Sequence, residues 1–139
     1  VVLVRQYRYT LGDYIYEFPA GLVEKEEDFH QAAIREMREE TGLTFTPLLA
    51  DEVYEKPFFT TVGMTDESCA TVYGYADGTV SQKNQEDSEE IEIVLADKNE
   101  ARRILREENV AIMCAYMLMH FINGREEEPF SFLEGMKDS

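Results

Sequence analysis

The sequence predicts a mixed fold of strands and helices, α/β in the broad sense and α+β where the two kinds segregate. Three observations lead there. The chain opens with two β-branched and aromatic runs, VVLVRQYRY (1–9) and YIYEF (14–18). A helix with clear ends comes next, between Asp28 and Gly42. The last third carries apolar residues at helical spacing. Elements of both kinds alternating in one chain imply layers of helix packed on sheet.

Each element has its own warrant. Leu11-Gly12-Asp13 reads as the turn between the first two strands, and Pro19-Ala20-Gly21 breaks the second. Asp28 stands where an N-cap belongs, and Gln31 three residues later completes a capping box. Gly42 is placed to close the helix in a left-handed conformation. Strand-like segments are expected around 48–60 and 69–76, followed by the polar loop DGTVSQKNQEDSEE (77–90). IEIVL (91–95) alternates as a half-buried strand does. Ala101, Ile104 and Leu105 mark one helix; Val110, Met113, Cys114, Met117, Leu118 and Phe121 mark another, as core or as subunit interface.

At 139 residues and 44% hydrophobic content, residues 1–139 are expected to form one domain with a real core. The chain begins on a strand-like run without methionine, so further N-terminal strands are expected ahead of it. No apolar run is long enough to span a membrane, and no signal peptide is visible. The two cysteines, Cys69 and Cys114, lie far apart among apolar neighbours and read as buried thiols of a reducing compartment, the cytoplasm. A formal net charge of −16 argues against nucleic acid as a partner, since phosphate binding needs a basic footprint. A small phosphorylated substrate is awkward on the same ground unless a bound cation screens the carboxylates.

The helix concentrates that problem. Each residue turns about 100° around the axis, so Glu36, Glu39 and Glu40 share an arc of roughly 100°. Ala33, Ile34 and Met37 define the expected apolar stripe, and the acidic arc flanks it. Arg35 stands one turn before Glu39, placed for an i,i+4 pair. A purely solvating face would point away from the core, so the pattern favours a divalent-cation site.

The stretch from Gly21 to Leu43 resembles the Nudix box, G-x5-E-x7-R-E-U-x-E-E-x-G-U with U a bulky aliphatic, at Gly21, Glu27, Arg35, Glu36, Met37, Glu39, Glu40, Gly42 and Leu43. The resemblance implies a Nudix-type α/β/α sandwich with a mixed β-sheet. It implies hydrolysis of a nucleoside diphosphate linked to another moiety, with Mg²⁺ or Mn²⁺ as cofactor. By position, Glu36, Glu39 and Glu40 are similar to the family's metal ligands, and the carbonyl of Ala20 to a frequent backbone ligand. Glu27 and Arg35 resemble the supporting pair that fixes the loop and orients the carboxylates, with Gly21 and Gly42 framing them.

V-R-Q-Y-R (4–8), E-F-P-A-G (17–21) and G-M-T-D-E (63–67) are similar to the ADP-ribose pyrophosphatase branch. That resemblance implies substrate contacts from Arg8 and Glu17, a small nucleotide-sugar substrate, and a homodimer. Val62 stands where related enzymes often have proline, which also resembles relatives acting on UDP-sugars. Many enzymes of the branch draw a general base from an acidic loop; Glu89 aligns best here, with Asp87 and Glu90 beside it. His30 and His120 are expected to be structural. The alternatives are a non-catalytic nucleotide-sugar sensor, against which an intact box argues, and a nucleoside triphosphate pyrophosphohydrolase.

Overall fold

The computed structural model describes residues 1–81 and 91–137. Its strands are β1 (Val2–Arg8), β2 (Asp13–Glu17), β3 (Thr44–Pro47), β4 (Phe58–Phe59), β5 (Ser68–Cys69), β6 (Gly74–Asp77) and β7 (Ile91–Leu95). Its helices are α1 (Phe29–Thr41), α2 (Glu52–Glu55), α3 (Lys98–Glu107) and α4 (Ile112–Asn123), with a 3₁₀ turn at Ser131–Glu134. The strands form three antiparallel groups, β2-β1-β7, β3-β6 and β4-β5, and one parallel bridge joins Tyr16 to Val110. Helices and sheets together make the α+β fold that the alternation predicts. No helix among the described residues is long and apolar enough to cross a membrane.

Register in the first sheet decides what each face can do. Val4 pairs with Glu17 and Ile93, Gln6 with Ile15 and Ile91, and Arg8 with Asp13, so these side chains share one face. Leu3, Tyr16 and Val94 occupy the other. Leu3 and Tyr16 join Ala96, Ala101, Ile104, Cys114 and Leu118 in a buried core against α3 and α4. The apolar stripes read from the last third are therefore interior in part, although Ile112, Met113, Tyr116 and Met119 leave one side of α4 exposed. His120 stacks on Phe132 at 4.7 Å between ring centres, a packing role.

Helix α1 has the ends its sequence implies. The Asp28 side chain accepts from the Gln31 N–H, the Gln31 side chain returns the bond, and Gly42 closes the helix at φ 79°. A Cβ at Gly42 would also press on Ser81, whose N–H donates to the Thr41 carbonyl. Beyond that cap Leu43 and Phe45 are buried, and β3 packs on α1.

Three expectations are corrected. First, 48–60 is not a strand: Asp51 caps a helical turn at Val53 N–H, Pro57 lacks the N–H to extend it, and only Phe58–Phe59 pairs. The longer strand lies earlier, at Thr44–Pro47, and the segment 69–76 divides between β5 and β6. Second, Cys69 is exposed, on a small β4-β5 hairpin that no other element covers among the described residues. Cys114 is buried, and burial first, then the Glu17 carboxylate, pushes its thiol up to about 12. Third, Ile34 faces solvent, while Ala32 and Thr41 are the buried residues of α1. Ala33 and Met37 remain half-buried between them around the axis, so only Ile34 leaves the expected stripe.

Leu118 is fully buried where the sheet meets α3 and α4. Leu118→Ala should cost about 2–5 kcal/mol in urea unfolding, from lost transfer energy and the cavity left behind. A loss under about 1 kcal/mol would show that this layer collapses around the gap.

Candidate functional site

Around the axis of α1, Glu36 and Glu40 lie about 40° and 80° from the buried Ala32, beside the half-buried Ala33, and both are half-buried themselves. Glu36 is only 19% exposed, whereas Glu39, nearer the rim, is 54% exposed. Two neighbours make room for this. Gly21 lies so close that a Cβ there would land on the Glu36 carboxylate. The backbone N–H of Ala20 donates to Glu40. The Pro19-Ala20-Gly21 break at the end of β2 thus lies directly against the helix carboxylates.

One guanidinium serves most of the acids. Arg35 donates from Nε and Nη2 to Glu27 at 2.8 and 3.0 Å, a two-point pair. Nη2 also donates to the Leu22 carbonyl at 2.9 Å. Nη1 reaches Glu36 at 2.7 Å and Glu39 at 3.2 Å, so the i,i+4 pair forms alongside a second. Hydrogen bonds from Arg35, then from the Glu24 N–H, draw the Glu27 carboxyl down to about 2. The loop that brings Glu27 there is bent to do so. Glu27 accepts from Glu24 N–H, and Glu26 adopts φ 67°, a left-handed value costing a non-glycine residue roughly 1–2 kcal/mol.

From the sheet, Glu17 accepts from Arg8 Nε at 2.9 Å and Nη2 at 3.1 Å, and from Gln6 Nε2 at 2.9 Å. Arg8 is therefore held by Glu17 across the strand pair. Glu40 feels this whole set. Burial, then the charges of Glu36, Glu17 and Glu39, push its carboxyl up to about 7, against the pull of the Ala20 N–H.

The structure brings Arg8, Glu17, Ala20, Gly21, Glu27, Arg35, Glu36, Glu39 and Glu40 into one connected neighbourhood. Glu89, with Asp87 and Glu90, lies outside the described residues. Among the described residues no three His, Cys, Asp or Glu side chains converge at metal-binding spacing. The reason is visible in the contacts: Glu36 and Glu39 turn onto Arg35. The donor chemistry is nonetheless that of a hard divalent cation, carboxylate and carbonyl oxygen. His30 is bonded to Glu55 instead of to this group. A groove of about 330 Å³, lined by Leu48, Tyr75, Pro129 and Phe130 among others, shares no residue with it.

Comparison with known proteins agrees with the box and its setting. The family profile described as NUDIX domain matches residues 1–115, most of the chain. The chain belongs to the Nudix family. Putative nudix hydrolase 2 of Caenorhabditis elegans is 35% identical over 104 residues, 71% of this chain and 45% of that protein. ADP-ribose pyrophosphatase of Bacillus subtilis is 29% identical over 111 residues, 79% of this chain and 58% of its own length. ADP-sugar pyrophosphatase of Mus musculus is 52% identical over 42 residues, 30% of this chain and 19% of the mouse protein. The Nudix chain thus spans less than two thirds of each of these relatives.

Glu40 generates a stability prediction for this Nudix site. Its folded-state pKa, about 7, stands above the ordinary 4.5, so between those values the folded protein holds a proton that the unfolded chain has released. Its contribution is full below about pH 4.5 and falls as pH rises through about 7. With divalent cations chelated, Tm should fall between pH 5 and pH 8 by more in the wild type than in Glu40→Gln. Parallel profiles would mean that Glu40 titrates as an ordinary surface carboxyl.

Proposed function

We propose that this protein is a metal-dependent pyrophosphohydrolase. It cleaves ADP-ribose or a related nucleoside diphosphate sugar at the pyrophosphate bond, giving nucleoside monophosphate and sugar phosphate. One observation carries the reading: Glu36 and Glu40 press on the Ala20–Gly21 break, and burial together with the charges of Glu36, Glu17 and Glu39 raises Glu40 to about 7. Carboxylates half-buried at this density are costly without a cation among them. The printed names of the bacterial and mouse relatives, an ADP-ribose and an ADP-sugar pyrophosphatase, support the substrate class.

Glu36, Glu39, Glu40 and the Ala20 carbonyl would hold Mg²⁺ or Mn²⁺. A bound ion of this kind polarises a phosphoryl oxygen and activates water. The chain's own residues prepare that chemistry. Arg35 keeps Glu36 and Glu39 on the helix rim while its other edge stays bonded to Glu27. Gly21 removes the Cβ that would displace Glu36. On the sheet, Arg8 presents a guanidinium to substrate phosphate by exchanging it for Glu17, and Glu17, still bonded to Gln6, then adds an uncompensated charge near Glu40. Glu89 completes the proposal as the general base, with Asp87 and Glu90 as its neighbours. A homodimer in the cytoplasm, with no nucleic acid or membrane as partner, belongs to the same reading.

The test is an assay of ADP-ribose with Mg²⁺, products resolved chromatographically. AMP and ribose 5-phosphate should appear, and ADP as the main product would exclude pyrophosphate cleavage. Glu36→Gln and Glu40→Gln should each lower kcat on the order of 100-fold or more while the fold persists. Near wild-type rates in both would return the acidic arc to a solvated face. Binding of ADP-ribose by the wild type without turnover would select the sensor reading.

A further inference from the structure

His30 stands in the first turn of α1, and Glu55 ends α2. His30 Nε2 lies 2.9 and 3.0 Å from the two oxygens of Glu55. A carboxylate only accepts, so Nε2 carries the hydrogen of this contact. The side chains are 31% and 17% exposed, covered enough that removing one partner leaves the other poorly solvated. The contact joins the carboxylate helix to the segment that runs into β4.

Between α2 and Thr71, where the chain is tied in again by Thr71 to Met113 and by Tyr73 to Leu48, the segment is lightly held. Every residue from Pro57 to Cys69 is exposed, so burial does not seat this segment. β4 and β5 pair with each other, Phe58 with Cys69 and Phe59 with Ser68, and among the described residues belong to no larger sheet. The tip is bonded internally: Thr60 N–H donates to the Glu67 carbonyl, and Met64 and Thr65 N–H both donate to Thr61. These bonds tie the hairpin to itself. One end of its base is α2, and Pro57, with its fixed φ, passes the orientation of α2 into β4; the other end runs to Tyr73, whose carbonyl accepts from Leu48 N–H. His30 precedes Glu36 by six residues, about 9 Å along the same helix.

We propose that the His30–Glu55 contact is a positioning device. It fixes the orientation of the hairpin Phe58–Cys69, with Gly63–Glu67 at its tip, relative to the carboxylate helix, and so governs how tightly the nucleotide sugar is held. His30 is here a positioning residue; it acts through Glu55 and the hairpin. The inference rests on the pyrophosphohydrolase reading for its substrate, and on the geometry alone for its mechanics.

Two variants test it in the full chain. His30→Ala removes the donor, whereas His30→Gln carries an amide N–H to nearly the same place. Amide hydrogen exchange across 58–69 should quicken in His30→Ala and return toward wild type in His30→Gln, while exchange in 29–41 stays slow. With ADP-ribose and Mg²⁺, KM should rise about tenfold in His30→Ala with kcat within about twofold, and His30→Gln should restore it. Unchanged exchange in the hairpin overturns the proposal, as does a fall in kcat at constant KM. If His30→Ala does not fold, Glu55→Gln, which keeps an acceptor oxygen, should show a smaller quickening in the same segment, and no quickening there overturns the proposal. Absence of ADP-ribose hydrolysis by the wild type refutes the substrate reading and leaves the exchange result to decide the mechanics.

Discussion

A single guanidinium organises this protein's acidic face. Arg35 meets Glu27 with one edge and Glu36 and Glu39 with its remaining nitrogen, and it also caps the Leu22 carbonyl. Without that charge, Glu27 of the loop and Glu36 and Glu39 of α1 would lose the cation they share. The two edges differ in kind. The pair with Glu27 is planar, two-pointed and tied into a backbone turn, so it fixes the loop. The Nη1 contacts are single bonds to two separate carboxylates, which another cation can take over one at a time.

The sheet supplies the other half of the balance. Its alternation sends Leu3 and Tyr16 into the apolar core and turns Gln6, Arg8 and Glu17 to the opposite side. A slip of one residue in the β1-β2 register would exchange these sets, burying charge against α3 and exposing the core. The register therefore protects the acidic neighbourhood as much as it protects the core.

Much of this is legible in the amino-acid sequence. The α1 boundaries come from local chemistry at Asp28, Gln31 and Gly42, which needs no distant partner to act. The first hairpin comes from β-branched and aromatic runs around a turn, and β7 and the two C-terminal helices come from periodicity. The failures share a cause. Residues 48–60 are short elements shaped by Asp51 and Pro57, and period counting over a long window averages such signals away. Ile34 reads as inward because it is apolar, yet it lies at the edge of the stripe and faces solvent, while Ala33 and Met37 stay half-buried. At the site, the residue types are readable from the box. The depth of Glu36 and Glu40 is not, because it depends on how Gly21 and Ala20 fold back from another element. The contact of His30 with Glu55 spans 25 residues and has no local signal.

The two thiols differ in a way that is useful at the bench. Cys114 is sealed in the core with its ionisation pushed up to about 12, while Cys69 lies exposed on the second strand of the hairpin. Burial and the nearby Glu67 raise Cys69 as well, which slows its reaction without hiding it. Under native conditions a maleimide or spin-label reagent would thus mark this protein at one position. That position rides on the very segment whose seating depends on α2. A fluorophore attached there would report hairpin motion in real time, with no cysteine needing to be removed first.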